Sequence, residues 1–470
     1  MLIPVQRFDD QPLQEAILPT GYNYHVEDHN PHAVLKNVFG FLHFRPGQEE
    51  AISAVLNKKD AIVVIPTDGG KTIVYSIPTL LIPGITVVVS PLLMLMHDQL
   101  LKLREKGINT CYVNSMLTSK HCKSVIANLS RPDSEYKVLL VSPEVLLSPS
   151  LDSLMKKLKV EGRLNFFAID KAHCIDTWGV DIRPDYQELG KLKKYGVPIV
   201  ALTGTATTVT IEQITGTLRL SDPKHVKLPF TRENLVFEVY EKKPGPSAAM
   251  KQVADLITSR FSGQCGIVYC SHREETARLA LELKNNNIST IYFHGGIMDP
   301  EVNLRHASLW LDGKVDVICA NNSFGMGIDK QDVRFVIHLS HPSSYEAYVQ
   351  ESGRAGRDGS DARCIVLHRF EDRKFHLSNI SKTVSAEARA KRLSSLNDFS
   401  SYLLERHHCY QKLIADYFDS TLEEPCGKCG NCQNPAVPIT RDNTVHGKQL
   451  VACLQHMQII NDKVSVDELA

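Results

Sequence analysis

The chain has 470 residues, of which 43% are hydrophobic; that is too long for one ordinary core and apolar enough for several, so two large lobes and a smaller unit are expected. Lys plus Arg and Asp plus Glu balance at 53 each, which excludes a uniformly basic nucleic-acid binder and confines any DNA site to a local patch. No apolar run is long enough to cross a bilayer, and the opening MLIPVQRFDDQ lacks the regions of a signal peptide, pointing to a soluble, intracellular protein with no membrane partner.

Residues 1–32 read as an N-terminal extension. From about 35 to 370, short β-branched runs alternate with polar turns and segments of helical spacing, predicting an α/β fold of parallel sheets flanked by helices. The first series is AIVVIP (61–66), ITVVVSP (85–91), YKVLLVSP (136–143), LNFFAID (164–170) and PIVALTGTA (198–206). Ligands of such sheets gather at the carboxyl ends of the strands, and these runs end in polar residues. After the first run, IPTDGGKTIVYSIP (65–78) places a Gly-rich turn before a helix. Backbone N–H groups at a helix start cradle phosphate oxygens, Lys71 supplies charge and the Thr72 hydroxyl can reach Mg²⁺, although Ile65 stands where the strict phosphate-loop pattern has its first Gly. The run 164–170 delivers Asp170 to its tip, where a carboxylate can hold Mg²⁺ through its water shell.

The segment KLPFTRENLVFEVYEKKPGPSAAM, rich in charge, Pro and Gly, reads as an interlobe connection. A second series follows: CGIVYCS (265–271), STIYFHGG (289–296), VDVICANN (315–322), RFVIHLS (334–340) and ARCIVLH (362–368). Two sheets and one linker make a cleft. A helical stretch at about 381–408 is expected to brace a small C-terminal subdomain against the second lobe. There Cys409, Cys426, Cys429 and Cys432 can close a tetrahedral, structural Zn²⁺ shell; His407 and His408 are possible substitutes but read as solvated. The other eight cysteines read as thiols, Cys265, Cys270, Cys319 and Cys364 among them.

Seven ordered motifs carry a resemblance: VFGFLHFRPGQEEAI (38–52), the phosphate loop, VVSPLLMLMHDQ (88–99), the D-x-A-H stretch at 170–173, LTGTAT (202–207), FGMGIDKQDVRFVIH (324–338) and QESGRAGRDG (350–359). Together they resemble the RecQ family of superfamily-2 DNA helicases, from about residue 33 to about 436. The resemblance implies tandem RecA-like lobes at 33–228 and 229–380, a zinc subdomain at 381–436 and, at 437–470, the start of a winged helix. It implies ATP, Mg²⁺ and Zn²⁺ as cofactors, single-stranded and forked DNA as partners, 3′ to 5′ translocation in repair and recombination, and a nuclear location.

Carried over residue by residue, Gln48 and Arg45 would read and flank adenine, with Phe41 stacking. Thr67, Gly69, Gly70, Lys71 and Thr72 would hold the triphosphate and metal, with Asp170 completing the Mg²⁺ site and His173 in the same catalytic stretch. Arg354 and Arg357 would reach across the cleft, Arg357 as the arginine finger. Ser90, Pro91, Leu92 and Gln99 match a strand-contact motif, and Trp178, Arg183 and Tyr186 belong to an aromatic-rich loop whose faces can stack on unpaired bases.

The chain departs from the family where D-E-x-H becomes Asp170, Lys171, Ala172, His173. The missing Glu orients and deprotonates the attacking water; a lysine has no acceptor and favours the bound triphosphate instead. Asp68 replaces a Gly in the phosphate loop, and an Asp68–Lys171 salt bridge between neighbouring strand tips is one way to join the two changes. Gly204, Ile182 and the run Asn321, Asn322, Ser323 are smaller departures. The first reading is an ATP-dependent DNA helicase; the alternative is a hydrolysis-impaired, ATP-binding DNA clamp. A nucleotide switch that ignores DNA fits the aromatic-rich loop and the zinc site poorly.

Overall fold

A computed structural model describes residues 30–66, 69–91, 93–115, 117–177, 184–230, 232–297, 300–324, 330–436, 442 and 444–460. Seven strands form the first sheet: β1 (Ala61–Val64), β2 (Ile85–Val89), β3 (Thr110–Val113), β4 (Val138–Val141), β5 (Leu164–Asp170), β6 (Ile199–Thr203) and β7 (Lys224–Lys227). Their order is β3-β4-β2-β5-β6-β1-β7, with every pairing parallel. Helices cover both faces, so the central strands are buried on both sides and carry unbroken apolar runs rather than alternation. Ile62, Val87, Phe167 and Ile169 face one core, while Val63, Val88, Phe166 and Ala168 face the other.

The second sheet holds β8 (Leu235–Glu241), β9 (Gly266–Tyr269), β10 (Thr290–Phe293), β11 (Val317–Ala320), β12 (Phe335–His338) and β13 (Ala362–His368). Its order is β10-β11-β9-β12-β13-β8, again parallel throughout. Trp310 is fully buried against one face and donates its indole N–H to the Gly266 carbonyl at 3.2 Å.

Two corrections follow for the connections. The segment expected to be a plain interlobe linker contains β8, which runs seven residues alongside β13 as an edge strand. Its charged residues belong to that edge: Glu238 is buried in a cage of Arg260 and Arg363, and the two guanidinium groups hold its carboxyl below its usual range against the desolvation that would raise it. β3 and β7 were also not read; β7 is KHVK, with one buried side chain, and gives almost no apolar signal.

The helix Ala386–Leu404 braces the C-terminal subdomain as expected. Ser385 caps it by accepting from the Ala388 N–H, and Leu396, Phe399, Tyr402 and Leu403 are buried, with Phe399 packed 5.2 Å from the Tyr348 ring. The same helix also reaches the first lobe, where Lys391 pairs with Asp176 and bonds Gln213 at 3.2 Å. A second tie joins Asp419 to the start of the helix Thr208–Thr217, its carboxylate accepting from the Thr208 N–H and hydroxyl at 2.7 Å each. The subdomain therefore touches both lobes. Of the 437–470 segment, the described part is a helix, Thr444–Ile460, whose described side chains are exposed.

Candidate active site and metal centre

The sheet order brings the motifs together: the tips of β2, β5, β6 and β1 lie side by side. At the β1 tip the chain turns through Gly69 and Gly70 into the helix Lys71–Leu81. Gly70 has φ +74°, a left-handed conformation, and a Cβ there would lie 2.4 Å from Gln48 Nε2. A Cβ on Gly69 would meet the Ile65 side chain at 2.0 Å, so the buried Ile65 occupies space that only a glycine at 69 leaves open. Gln48 is buried; its amide oxygen accepts from the Arg45 N–H at 2.9 Å and its amide nitrogen donates to the Gly69 and Gly70 carbonyls at 3.1 and 3.2 Å. One side chain thus joins the expected adenine segment to the expected phosphate loop. Phe41 and Arg45 are exposed beside it. Lys71 Nζ donates to the Ile65 and Pro66 carbonyls at 2.9 and 3.1 Å. Thr67 and Asp68 lie outside the described residues.

At the β5 tip Asp170 is 6% exposed. Its Oδ1 accepts from the Lys171 N–H at 2.9 Å and its Oδ2 from Gln99 Nε2 at 3.0 Å. Lys171 has φ +54°, a conformation costing a non-glycine residue about 1 kcal/mol. His173 Nδ1 lies 2.7 Å from the Thr203 hydroxyl, which itself donates to the Thr205 carbonyl. That leaves His173 as the donor through Nδ1. Burial pushes its pKa down to about 3, helped by the Lys171 and Lys71 charges, so it is neutral at pH 7 with its lone pair on Nε2. His173 therefore ties the β5 tip to LTGTAT at the β6 tip. The strands before Lys171 and Asp68 were expected to be neighbours; β6 lies between β5 and β1, and the salt bridge itself falls outside the described residues with Asp68.

Several expected DNA contacts are placed in the interior. Ser90 and Pro91 are buried at the β2 tip, Gln99 is 7% exposed and spent on Asp170, and Tyr186 is fully buried with its hydroxyl 3.4 Å from the Asp170 carbonyl. Tyr186 packs into the core of the first lobe, which corrects its reading as a base-stacking face. Leu92, Trp178, Ile182 and Arg183 lie outside the described residues, as does 325–329 of the FGMGID motif. Before that motif, Asn321 accepts from the Ser323 N–H at 3.3 Å and closes a turn.

Across the cleft, the arginine loop follows the helix Tyr345–Ser352. Arg354 is 6% exposed and hydrogen-bonds the Tyr269 hydroxyl, whereas Arg357 is half-buried. Arg232 grips the loop backbone, donating to the Gly353, Ala355 and Gly356 carbonyls at 3.3, 3.0 and 2.6 Å, and Asn234 donates to Gly356 at 2.7 Å. Sequence reasoning missed Arg232 and Asn234, and their place in TRENL, just before β8, is the signal that was available. A cavity of about 20 Å³ is lined by Pro66 from the first lobe and, among mostly apolar side chains, by Arg232, Ser352 and Gly353 from the second, so the residue that leads into the phosphate loop lies against the residues that lead into the arginine loop.

Cys409, Cys426, Cys429 and Cys432 bring their sulfurs within 4.8 Å of one another. Neighbouring sulfurs are 3.4 to 3.9 Å apart, against about 3.8 Å for the edge of a tetrahedron with Zn–S bonds of about 2.3 Å. The Cys426 N–H points at Cys409 Sγ and the Cys429 N–H at Cys426 Sγ, both at 3.3 Å, an arrangement that favours thiolates. The donor set fits zinc and leaves no position for a substrate. His407 bonds the Ala436 carbonyl and His408 pairs with Glu405, so neither joins the cluster.

Three family models match the chain in sequence order: DEAD/DEAH box helicase over residues 45–214, helicase conserved C-terminal domain over 248–359, and RecQ zinc-binding over 369–433. The ATP-dependent DNA helicase Q1 of Rattus norvegicus is 35% identical over 437 residues, covering 92% of this chain and 69% of the relative. The Mus musculus protein of the same name is 35% identical, with 92% of this chain and 66% of the relative covered. The ATP-dependent helicase SGS1 of Saccharomyces cerevisiae is 35% identical, again over 92% of this chain but 30% of its own. The chain thus spans about two thirds of the rodent relatives and under a third of SGS1. Among solved structures, Mycobacterium smegmatis helicase Lhr bound to ssDNA and AMP-PNP matches with a TM-score of 0.57 at 18% identity, covering 73% of this chain and 48% of its own. Mss116p bound to ssRNA and AMP-PNP matches with a TM-score of 0.59 at 14% identity, covering 78% and 79%. At those identities they show the fold: two RecA-like lobes.

Proposed function

The chain belongs to the RecQ family of superfamily-2 helicases, with ATP, Mg²⁺ and Zn²⁺ as its cofactors, and from that premise we propose that it is an ATP-driven DNA motor translocating 3′ to 5′ and opening forked duplexes in repair and recombination in the nucleus. The observation that supports this most is that the phosphate loop and the Asp170 tip share one edge of the first sheet, while Pro66 lines a cavity with Ser352 and Gly353, which lead into the Arg354–Arg357 loop. The helix start at Lys71 holds the triphosphate by N–H groups and by the ammonium. Thr72 and Asp170 would hold Mg²⁺, which supplies charge neutralisation of the phosphates. Arg357, the more accessible of the two arginines, reaches the triphosphate when the lobes close, while Arg354, tied to Tyr269, sets the loop. Closing and opening of the cleft then moves the two lobes along a strand. Polarity comes from the family relation.

Lys171 favours a second reading. With no carboxylate at that position, nothing there accepts a proton from the attacking water, and the added positive charge holds the triphosphate. A clamp that binds ATP and DNA but hydrolyses slowly is the result if no other group substitutes.

Strand separation from a duplex bearing either a 3′ or a 5′ single-stranded tail distinguishes these. With ATP, the 3′-tailed duplex is expected to open and the 5′-tailed one not. Opening of both at one rate contradicts the polarity. Opening of neither, with tight ATP-dependent binding to both, selects the clamp.

A further inference from the structure

Gln99 sits on the helix Leu93–Glu105, which starts beside the β2 tip, 71 residues before Asp170 in the chain. Its side chain is 7% exposed and is committed: Nε2 donates to Asp170 Oδ2 at 3.0 Å. The opposite carboxylate oxygen is held by the Lys171 N–H, so Asp170 is fixed from both sides and its rotamer is set. Gln99 Oε1 is buried and has no hydrogen-bond partner among the described residues. A buried amide oxygen left in that condition costs about 1–3 kcal/mol, which a position chosen for packing alone would not retain. On the same planar amide it lies about 2.2 Å from Nε2, hence beside the carboxylate. Tyr75, one turn after Thr72, is buried, and the Asp170 charge adds to the burial that raises its hydroxyl pKa, so Asp170 lies near the phosphate-loop helix.

We propose that Gln99 is a positioning residue for the Mg²⁺ site, fixing Asp170 through Nε2 and offering Oε1 as an acceptor to the water shell of the ion. The proposal rests on the reading of Asp170 as the metal carboxylate. It assigns Gln99 away from direct strand contact, and it makes its helix a mechanical link from the β2 tip to the metal.

The test is Mg²⁺ titration of the full chain with a fluorescent ATP analogue, read as nucleotide affinity without turnover. Removal of an outer-sphere ligand partner typically weakens metal affinity 10- to 100-fold. Gln99→Leu is therefore expected to raise the Mg²⁺ concentration for half-maximal effect at least about 10-fold, with affinity in the absence of Mg²⁺ unchanged. An unchanged half-point overturns the proposal. Gln99→Glu provides a second route that does not depend on tolerance of leucine: it replaces the amide that donates to Asp170 by a like-charged oxygen, so its half-point is also expected to differ from that of the native chain. A native half-point in that variant also counts against the proposal. Asp170→Asn separates the two levels: if it leaves Mg²⁺ dependence intact, the reading of Asp170 fails; if it abolishes the dependence while both Gln99 variants behave as native, only the proposal for Gln99 fails.

Discussion

Replacing Lys171 by glutamate is expected to raise DNA-stimulated ATP turnover by about 100-fold while weakening ATP binding several-fold. A positioned general base contributes about 10²–10⁴ in rate, and the β5 tip already holds the other parts in place. Lys171 follows the fixed Asp170, its own N–H bonded to the carboxylate, and its backbone is left-handed at φ +54°. Glutamate pays the same backbone cost, so the change alters charge and acceptor at constant geometry. Loss of the ammonium removes attraction for the triphosphate and one of the charges that depress the His173 pKa. Turnover and affinity moving in opposite directions is the signature, measured by steady-state hydrolysis with single-stranded DNA and by equilibrium binding of a non-hydrolysable analogue. If neither moves, Lys171 is remote from the reacting phosphate.

Loss of zinc is expected to be the largest effect on stability. Structural zinc binding contributes about 10–16 kcal/mol in small sites, comparable with the entire stability of an ordinary domain. Here the cluster closes the subdomain that carries Asp419 and Ser420, which bond the first lobe and the interlobe segment at Thr208 and Phe230. Its short helix Gly430–Gln433 packs over β8, the edge of the second sheet. Cys429→Ser, at a fully buried ligand, is expected to lower zinc content below one ion per chain and the thermal midpoint by on the order of 10 °C. Removal of zinc by a chelator with an unchanged midpoint would show that the subdomain is held by its apolar contacts alone.

What could be read from the sequence was what is encoded locally. The Gly-Gly-Lys-Thr turn, the β5 tip and the cysteine quartet each lie within a short stretch, so each could be matched to its chemistry without knowing the strand order. What could not be read depends on crossovers. Parallel strands joined through helices do not reveal their order, so the insertion of β6 between β1 and β5 was invisible. The Gln99–Asp170 bond spans 71 residues, and nothing local to DQLL announces it. Edge strands defeat pattern reading for a different reason: Glu238 and Glu241 interrupt the apolar residues of β8, and the charges read as a linker until Arg260 and Arg363 are seen to neutralise Glu238. Tyr186 shows the converse error, since resemblance to an aromatic-rich loop led to a base-stacking assignment for a side chain that completes a core.

The most direct test of the central claim, that nucleotide and DNA are coupled in one motor, is steady-state ATP hydrolysis by the native chain with and without single-stranded DNA, beside Lys71→Ala. Turnover that is slow, raised by DNA and abolished in the variant is the predicted result. Hydrolysis that DNA leaves unchanged, or that survives the loss of Lys71, contradicts it.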